Sequence, residues 1–200
     1  MPFARPYETF EVRQLLQNAE GNASPVTGVG AHSRGLHAQS TPGGVGVNDA
    51  DMILRTHKQV GESNNQFKNR GGAVQTSAFR NLLQQADAAA QALNSIIGYR
   101  ALQVFDNPAH AGQNLRMTLE VTGIKEAGFV AGSAGQKMAT IHKTQAAVNR
   151  PGAAGVRLII DRAAGGGTLH IQTCFPVDSL PGGSHFEVKD MGNNTTVAVG

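Results

Sequence analysis

The chain contains no tryptophan, and aromatic residues of all kinds make up only 5% of its 200 residues. Its core must therefore be built mainly from aliphatic side chains, for which an apolar fraction of 40% is sufficient. Cysteine is nearly absent: Cys174 stands alone, so no intrachain disulfide can form and nothing calls for an oxidising compartment. No apolar run approaches the roughly 20 residues of a membrane-spanning helix, and the start Met1-Pro2-Phe3-Ala4-Arg5 has no signal-peptide core. Export would then use a dedicated machine or a larger chain. Charge is also sparse. The formal net charge is +3 and the sequence pI about 9.3. That permits a polyanionic partner without requiring one.

Several chemical motifs are missing as well. None of the histidines (His32, His37, His57, His110, His142, His170 and His185) stands in an H-E-x-x-H frame, and Cys174 has no second cysteine with which to hold zinc. No metal site or cofactor is expected. There is no G-x-x-x-x-G-K-[ST] phosphate loop and no G-x-S-x-G elbow; Gly43-Gly44-Val45-Gly46 lacks the preceding strand of a dinucleotide fingerprint and reads as a turn.

What is present is a change of period along the chain. Phe10, Leu15 and Leu16 give a short amphipathic helix within 7–20, with Val12 less regular. A Gly- and Ser-rich stretch follows, 21–46, with a short strand at Gly35-Leu36-His37-Ala38. Asn48-Asp49-Ala50-Asp51 reads as a helix start running to Gly61, and Ser63 begins another with Phe67 inward. The clearest helix is capped at Thr76 or Ser77 and carries Phe79, Leu82, Leu83, Ala86, Ala90 and Leu93 on one stripe to about Ile97. After it, Leu115, Met117, Leu119 and Val121 alternate with polar residues, the period of a strand with one wet face. Met138–Lys143 and Val156–Ile160 read as strands. Leu169–Phe175 reads as the return strand of a Gly-rich hairpin ended by Pro176, with Leu169, Ile171 and Thr173 on one parity. From Gly192 the chain reads as a polar, mobile tail. Helices first and strands afterwards argue for an α+β domain rather than a doubly wound α/β fold. The expected division is an N-terminal helix and linker (1–30), a functional domain (31–178) and a C-terminal tail (179–200).

Two segments carry candidate chemistry. Arg55-Thr56-His57-Lys58 sets an imidazole between cations, which disfavour its charged form and so favour a base, and which also attract phosphate. Lys68 and Arg70 extend the basic patch. A solvated basic helix face is the plain alternative. Thr173 offers a hydroxyl at the inner edge of a sheet, for a phosphate oxygen or for a neighbouring backbone group.

Taken in order, Ile53 to Ser63, Arg70, Ser77-Ala78-Phe79, Val156 to Ile160 and Ile171-Gln172-Thr173-Cys174-Phe175-Pro176 resemble the bacterial RNase A-like toxin domains, the C-terminal warheads of contact-dependent inhibition and related polymorphic toxins. The resemblance spans roughly residues 48 to 178. The family histidine directly precedes Val-Gly, where this chain has Gln59 and carries His57 two residues earlier. The family tyrosine is Phe175 here. The resemblance implies N-terminal helices packed on a twisted antiparallel sheet, with an RNase A-like two-lobed cleft. It implies metal-independent RNA cleavage, tRNA being one substrate, by acid–base transesterification in the cytoplasm of a target cell. His57 would then act as base or acid, Arg70 as phosphate clamp and Thr173 as oxyanion-side donor. His37 and His142 are candidates for the second proton transfer, and Lys58, Lys68, Phe175 and His142 for substrate contacts. A cognate immunity protein, acidic where the cleft is basic, is implied as a partner. Two other readings stand beside this one. An ADP-ribosyltransferase-like toxin would use Arg34-Gly35-Leu36-His37-Ala38 as a nucleotide-contacting strand and Glu120 or Glu187 to activate the acceptor. A non-catalytic nucleic-acid or protein-binding module would use none of them.

Overall fold

The computed structural model describes residues 2–32, 37–38, 55, 61–69, 77–124, 129–131, 148–150, 155–177 and 180–200. The elements run α1 (Thr9–Ala19), α2 (Asn64–Asn69), β1 (Ser77–Phe79), α3 (Leu82–Asn94), α4 (Ile96–Asp106), a 3-10 turn (Pro108–His110), β2 (Leu115–Thr122), β3 (Phe129–Ala131), β4 (Val148–Arg150), β5 (Gly155–Arg162), β6 (His170–Val177), β7 (His185–Asp190) and β8 (Thr195–Val199). The protein is α+β. Five strands form an antiparallel sheet in the order β6-β5-β2-β7-β8, and β1, β3 and β4 form a smaller antiparallel sheet.

The alternation in β2 does what its period predicts. Leu115, Met117, Leu119 and Val121 are buried in the core, together with Val156, Leu158 and Ile160 of β5 and Phe186 and Val188 of β7. Helices α1, α3 and α4 cover this face. The helix α3 packs on α1 and the sheet, and α4 lies along β2 and β7. Six alanines of α3 and α4 are in the core, and their small side chains let helix backbones approach sheet and helix closely. In α1 the buried residues are Val12, Leu16 and Ala19, while Phe10 is exposed. The irregular Val12 is thus the anchor. Each such aliphatic side chain contributes about 1.5–3 kcal/mol on full burial.

The long helix expected to reach Ile97 is two helices. Asn81 caps α3, its side chain accepting from the Gln84 N–H at 2.9 Å. Thr76 lies outside the described residues, and Ser77 begins a strand. Ser95 is extended (ψ 160°) and serves both neighbours: its backbone N–H bonds Ala92, and its Oγ accepts from the Gly98 N–H at 3.0 Å. Gly98 is required at this corner, because a Cβ there would meet the Ala92 carbonyl oxygen at 2.1 Å. The α2 start, by contrast, matches its sequence signal in full. Ser63 Oγ accepts from the Gln66 N–H, and Gln66 Oε1 accepts from the Ser63 N–H. This reciprocal pair satisfies two of the donors that a helix start leaves free.

The segments set apart at each end belong to the domain. At the N-terminus, the Phe3 and Ala4 N–H groups both donate to the Asp106 carboxylate at 2.7 Å, and Tyr7 and Asn94 exchange two hydrogen bonds. Further on, Ser24 donates to the fully buried Asp161, which also receives two bonds from Arg116 at 2.8 Å. Residues 2–30 are therefore tied to α3, α4 and the sheet. At the C-terminus, β7 pairs with β2 and β8 with β7, so the expected tail supplies two of the five strands. Pro176 does not end β6: the strand continues to Val177, and as an edge strand of the five-stranded sheet it tolerates a residue without an N–H. The expected helix 48–61 and the strand Met138–Lys143 lie outside the described residues, apart from Arg55 and Gly61.

Candidate functional site on the open sheet face

Residues opposite one another on neighbouring strands share a face of the sheet. The register pairs His185 with Glu120, Glu120 with Arg157, and Arg157 with Phe175. These four side chains form one row across β7, β2, β5 and β6, on the face away from the helices. His37 extends the row, its ring centroid 4.9 Å from that of Phe175.

The middle of the row is tightly coupled. Arg157 bonds Glu120 Oε1 through both Nε and a terminal nitrogen. On the other carboxylate oxygen, Oε2, sits His185 Nε2 at 3.1 Å. The carboxylate is almost enclosed, with 7% of its side chain exposed, whereas Arg157 and His185 remain 41% and 49% exposed. The cation and the imidazole are thus the solvent-facing members of the row. The other His185 nitrogen, Nδ1, lies 3.2 Å from the Gly183 carbonyl. Both ring nitrogens thus lie against oxygen atoms, one of Glu120 and one of Gly183. An imidazole, a carboxylate and a guanidinium therefore stand side by side on three strands.

The next row holds Thr173, and here parity misleads. A β-bulge between Ile159 and Ile160 pairs Ile171 with Ile160 but Thr173 with Ile159. Ile171 and Cys174 face the helices, while Thr173 turns to the open face with Phe175. The bulge thus overturns the parity shared by Leu169, Ile171 and Thr173. Thr173 is only 4% exposed, and its Oγ1 has no hydrogen-bond partner among the described residues.

His37 is buried, 9% exposed, and its Nδ1 lies 3.2 Å from the Ser77 carbonyl. Burial drives its pKa down to about 3, with Arg55 and His32 also opposing the charge and the Ser77 hydrogen bond acting the other way. A neutral ring this deep suits packing or recognition better than proton transfer. Of the expected strand Gly35-Leu36-His37-Ala38 only His37 and Ala38 are among the described residues, and Ala38 forms a bridge with Phe79. Cys174 is fully buried and its thiol is pushed upward by desolvation, so it is no nucleophile.

His57, Lys58, Arg70 and His142 lie outside the described residues, and Lys68 is placed only as a member of α2. Glu187 is on the open face, opposite Thr118, paired with Lys189 and bonded by Thr196. Among the described residues no group of three or more histidines, cysteines or carboxylates could hold a metal ion, and no helix is long and apolar enough to cross a membrane. Comparison with models of known families, with curated proteins and with solved structures gives no match.

Arg157 and His185 were not among the residues expected from sequence. A signal for Arg157 existed: it is a cation inside the apolar run Val156-Arg157-Leu158-Ile159-Ile160. His185 opens an alternating stretch, with Phe186 and Val188 inward.

The depressed pKa of His37 has a measurable consequence. Its folded value lies below the unfolded value of 6.5, so between about 3 and 6.5 the unfolded chain binds the extra proton. Stability is lost as pH falls through this window, with a slope approaching about 1.4 kcal/mol per pH unit. Denaturant titrations from pH 7 to pH 4 should show a steeper fall for wild type than for His37→Phe, because carboxylate titrations are common to both. Parallel curves would contradict a buried neutral imidazole.

Proposed function

We propose that this chain is an RNA-cleaving domain that works without metal, using the row Glu120, Arg157 and His185. The observation that carries the reading is the carboxylate shared between an exposed guanidinium and an exposed imidazole. In this scheme Glu120 accepts the proton of a ribose 2′-hydroxyl. The 2′-oxygen forms a bond to the adjacent phosphorus as the bond to the 5′-oxygen breaks. His185 protonates the departing oxygen, and Arg157 neutralises charge on the phosphoryl oxygens. The products are a 2′,3′-cyclic phosphate and a 5′-hydroxyl. General acid–base help is worth about 10²- to 10⁴-fold, and positioned charge of this kind comparable amounts. Thr173 lies on the same face, and its hydroxyl, buried and without a hydrogen-bond partner among the described residues, would donate to the phosphoryl oxygens only once uncovered by the substrate's entry.

The proposal includes the finer features implied by the toxin resemblance. These are an RNase A-like two-lobed cleft, parts in the reaction for His57, Lys58, Lys68 and Arg70, delivery into a target cell and an acidic immunity protein. A growth test addresses toxicity, because expression of an active domain in the cytoplasm arrests growth. The chemistry is tested by comparing purified wild type and His185→Ala on total RNA in EDTA. The variant should lose about 10²-fold or more in rate while keeping its thermal midpoint. Equal rates would remove His185 from the mechanism, and labelling of a target from NAD would favour the ADP-ribosyltransferase reading instead.

A further inference from the structure

The aromatic end of the row takes no part in the proton transfers. Phe175 is the cross-strand neighbour of Arg157, whose guanidinium carbon lies 5.6 Å from the ring centroid. The His37 ring lies 4.9 Å from Phe175 with the planes 30° apart. We propose that Phe175 and His37 form a nucleobase platform, holding the base of the nucleotide whose phosphate meets Arg157.

Three observations support this. Phe175 is half-buried and lies on the face of the sheet away from the helix-side core, so part of its ring is accessible to a ligand. Bases in single strands bind by stacking on aromatic rings and guanidinium planes, and every base offers such a face. The His37 ring is also fixed. Donation from Nδ1 to the Ser77 carbonyl leaves Nε2 as an acceptor. Burial keeps that ring uncharged, so the platform stacks a base without adding a second anion site. On the same face, Thr173 is 4% exposed and its hydroxyl is buried without a hydrogen-bond partner among the described residues.

The platform rests on the RNA reading only for the position of the phosphate, so its test uses binding rather than cleavage. Nucleoside 3′-monophosphates and inorganic phosphate are titrated into isotope-labelled protein and followed by NMR. The nucleotides should shift the Phe175 and His37 ring signals together with the Arg157 side chain, and inorganic phosphate should shift Arg157 without the rings. Phe175→Leu should weaken nucleotide binding about 5- to 100-fold and leave phosphate binding within twofold. Phe175→Tyr, which keeps the ring, should retain nucleotide affinity. Equal affinity of Phe175→Leu and wild type for the nucleotides, or nucleotide binding that leaves the rings unshifted, would overturn the platform. So would a failure of the nucleotides to bind. Ring-dependent binding by a protein that cuts no RNA would uphold the platform and reject the cleavage scheme.

Discussion

Glu120→Gln is expected to lower RNA cleavage in EDTA by about 10²- to 10⁴-fold while leaving the fold intact. The amide keeps the shape and one oxygen acceptor, enough to retain the Arg157 bond, while its NH2 group cannot accept from an imidazole N–H. What it loses is the ability to take a proton. The two partners are 41% and 49% exposed and can turn to water, so neither is stranded in the interior by the change. Initial rates on a short RNA, with circular dichroism on the same sample, separate chemistry from folding. Undiminished cleavage by Glu120→Gln would assign the base elsewhere, with His57 the next candidate.

Asp161→Ala is expected to act through stability. The Asp161 carboxylate has no exposed surface and accepts two bonds from Arg116 and one from Ser24. Arg116 also reaches Thr27, so one carboxylate ties β2, β5 and the loop at 24–27 together. Its presence holds the Arg116 pKa up, the hydrogen bond to Asp161 being the largest cause. Removing one partner of a buried pair costs about 3–5 kcal/mol, because the other charge is left uncompensated. That is a large part of a typical domain's stability of about 5–15 kcal/mol. Arg116 keeps a quarter of its side chain in water, which places the expected cost at the lower end of that range. Urea titration of wild type and Asp161→Ala measures it directly. A loss under 1 kcal/mol would mean that the clamp is dispensable.

The fold was legible where one residue pattern had one physical meaning. Alternation in Leu115–Thr122 gave β2, Ser63 gave the start of α2, and the Gly-rich stretch between Ile160 and Leu169 gave the β5–β6 turn. It was less legible where tertiary contacts decide. Nothing local in Leu93-Asn94-Ser95-Ile96 forbids a helix, yet Ser95 bends the chain and caps both sides. The stretch 185–190 alternates as plainly as β2 does, but its polar surroundings gave the reading of a tail.

The site was harder to read for a related reason. Glu120, Arg157 and His185 lie on three strands, and only the sheet register brings them into a row. A single extra residue at the β6 bulge decides that Thr173 joins that face rather than the core. Local motifs cannot carry such information. They drew attention to the basic segment around His57, of which only Arg55 is among the described residues, to Phe175, which the register pairs with Arg157, and to Thr173 in the next row.

The central claim is cleavage by attack of a 2′-hydroxyl, and the ends of the products test it most directly. Purified wild-type protein is incubated in EDTA with a short RNA and with the same strand made as DNA. The account predicts RNA fragments ending in 2′,3′-cyclic phosphate with 5′-hydroxyl partners, and an uncut DNA strand. Fragments that appear only with added divalent metal, or equal cutting of the two strands, would contradict it.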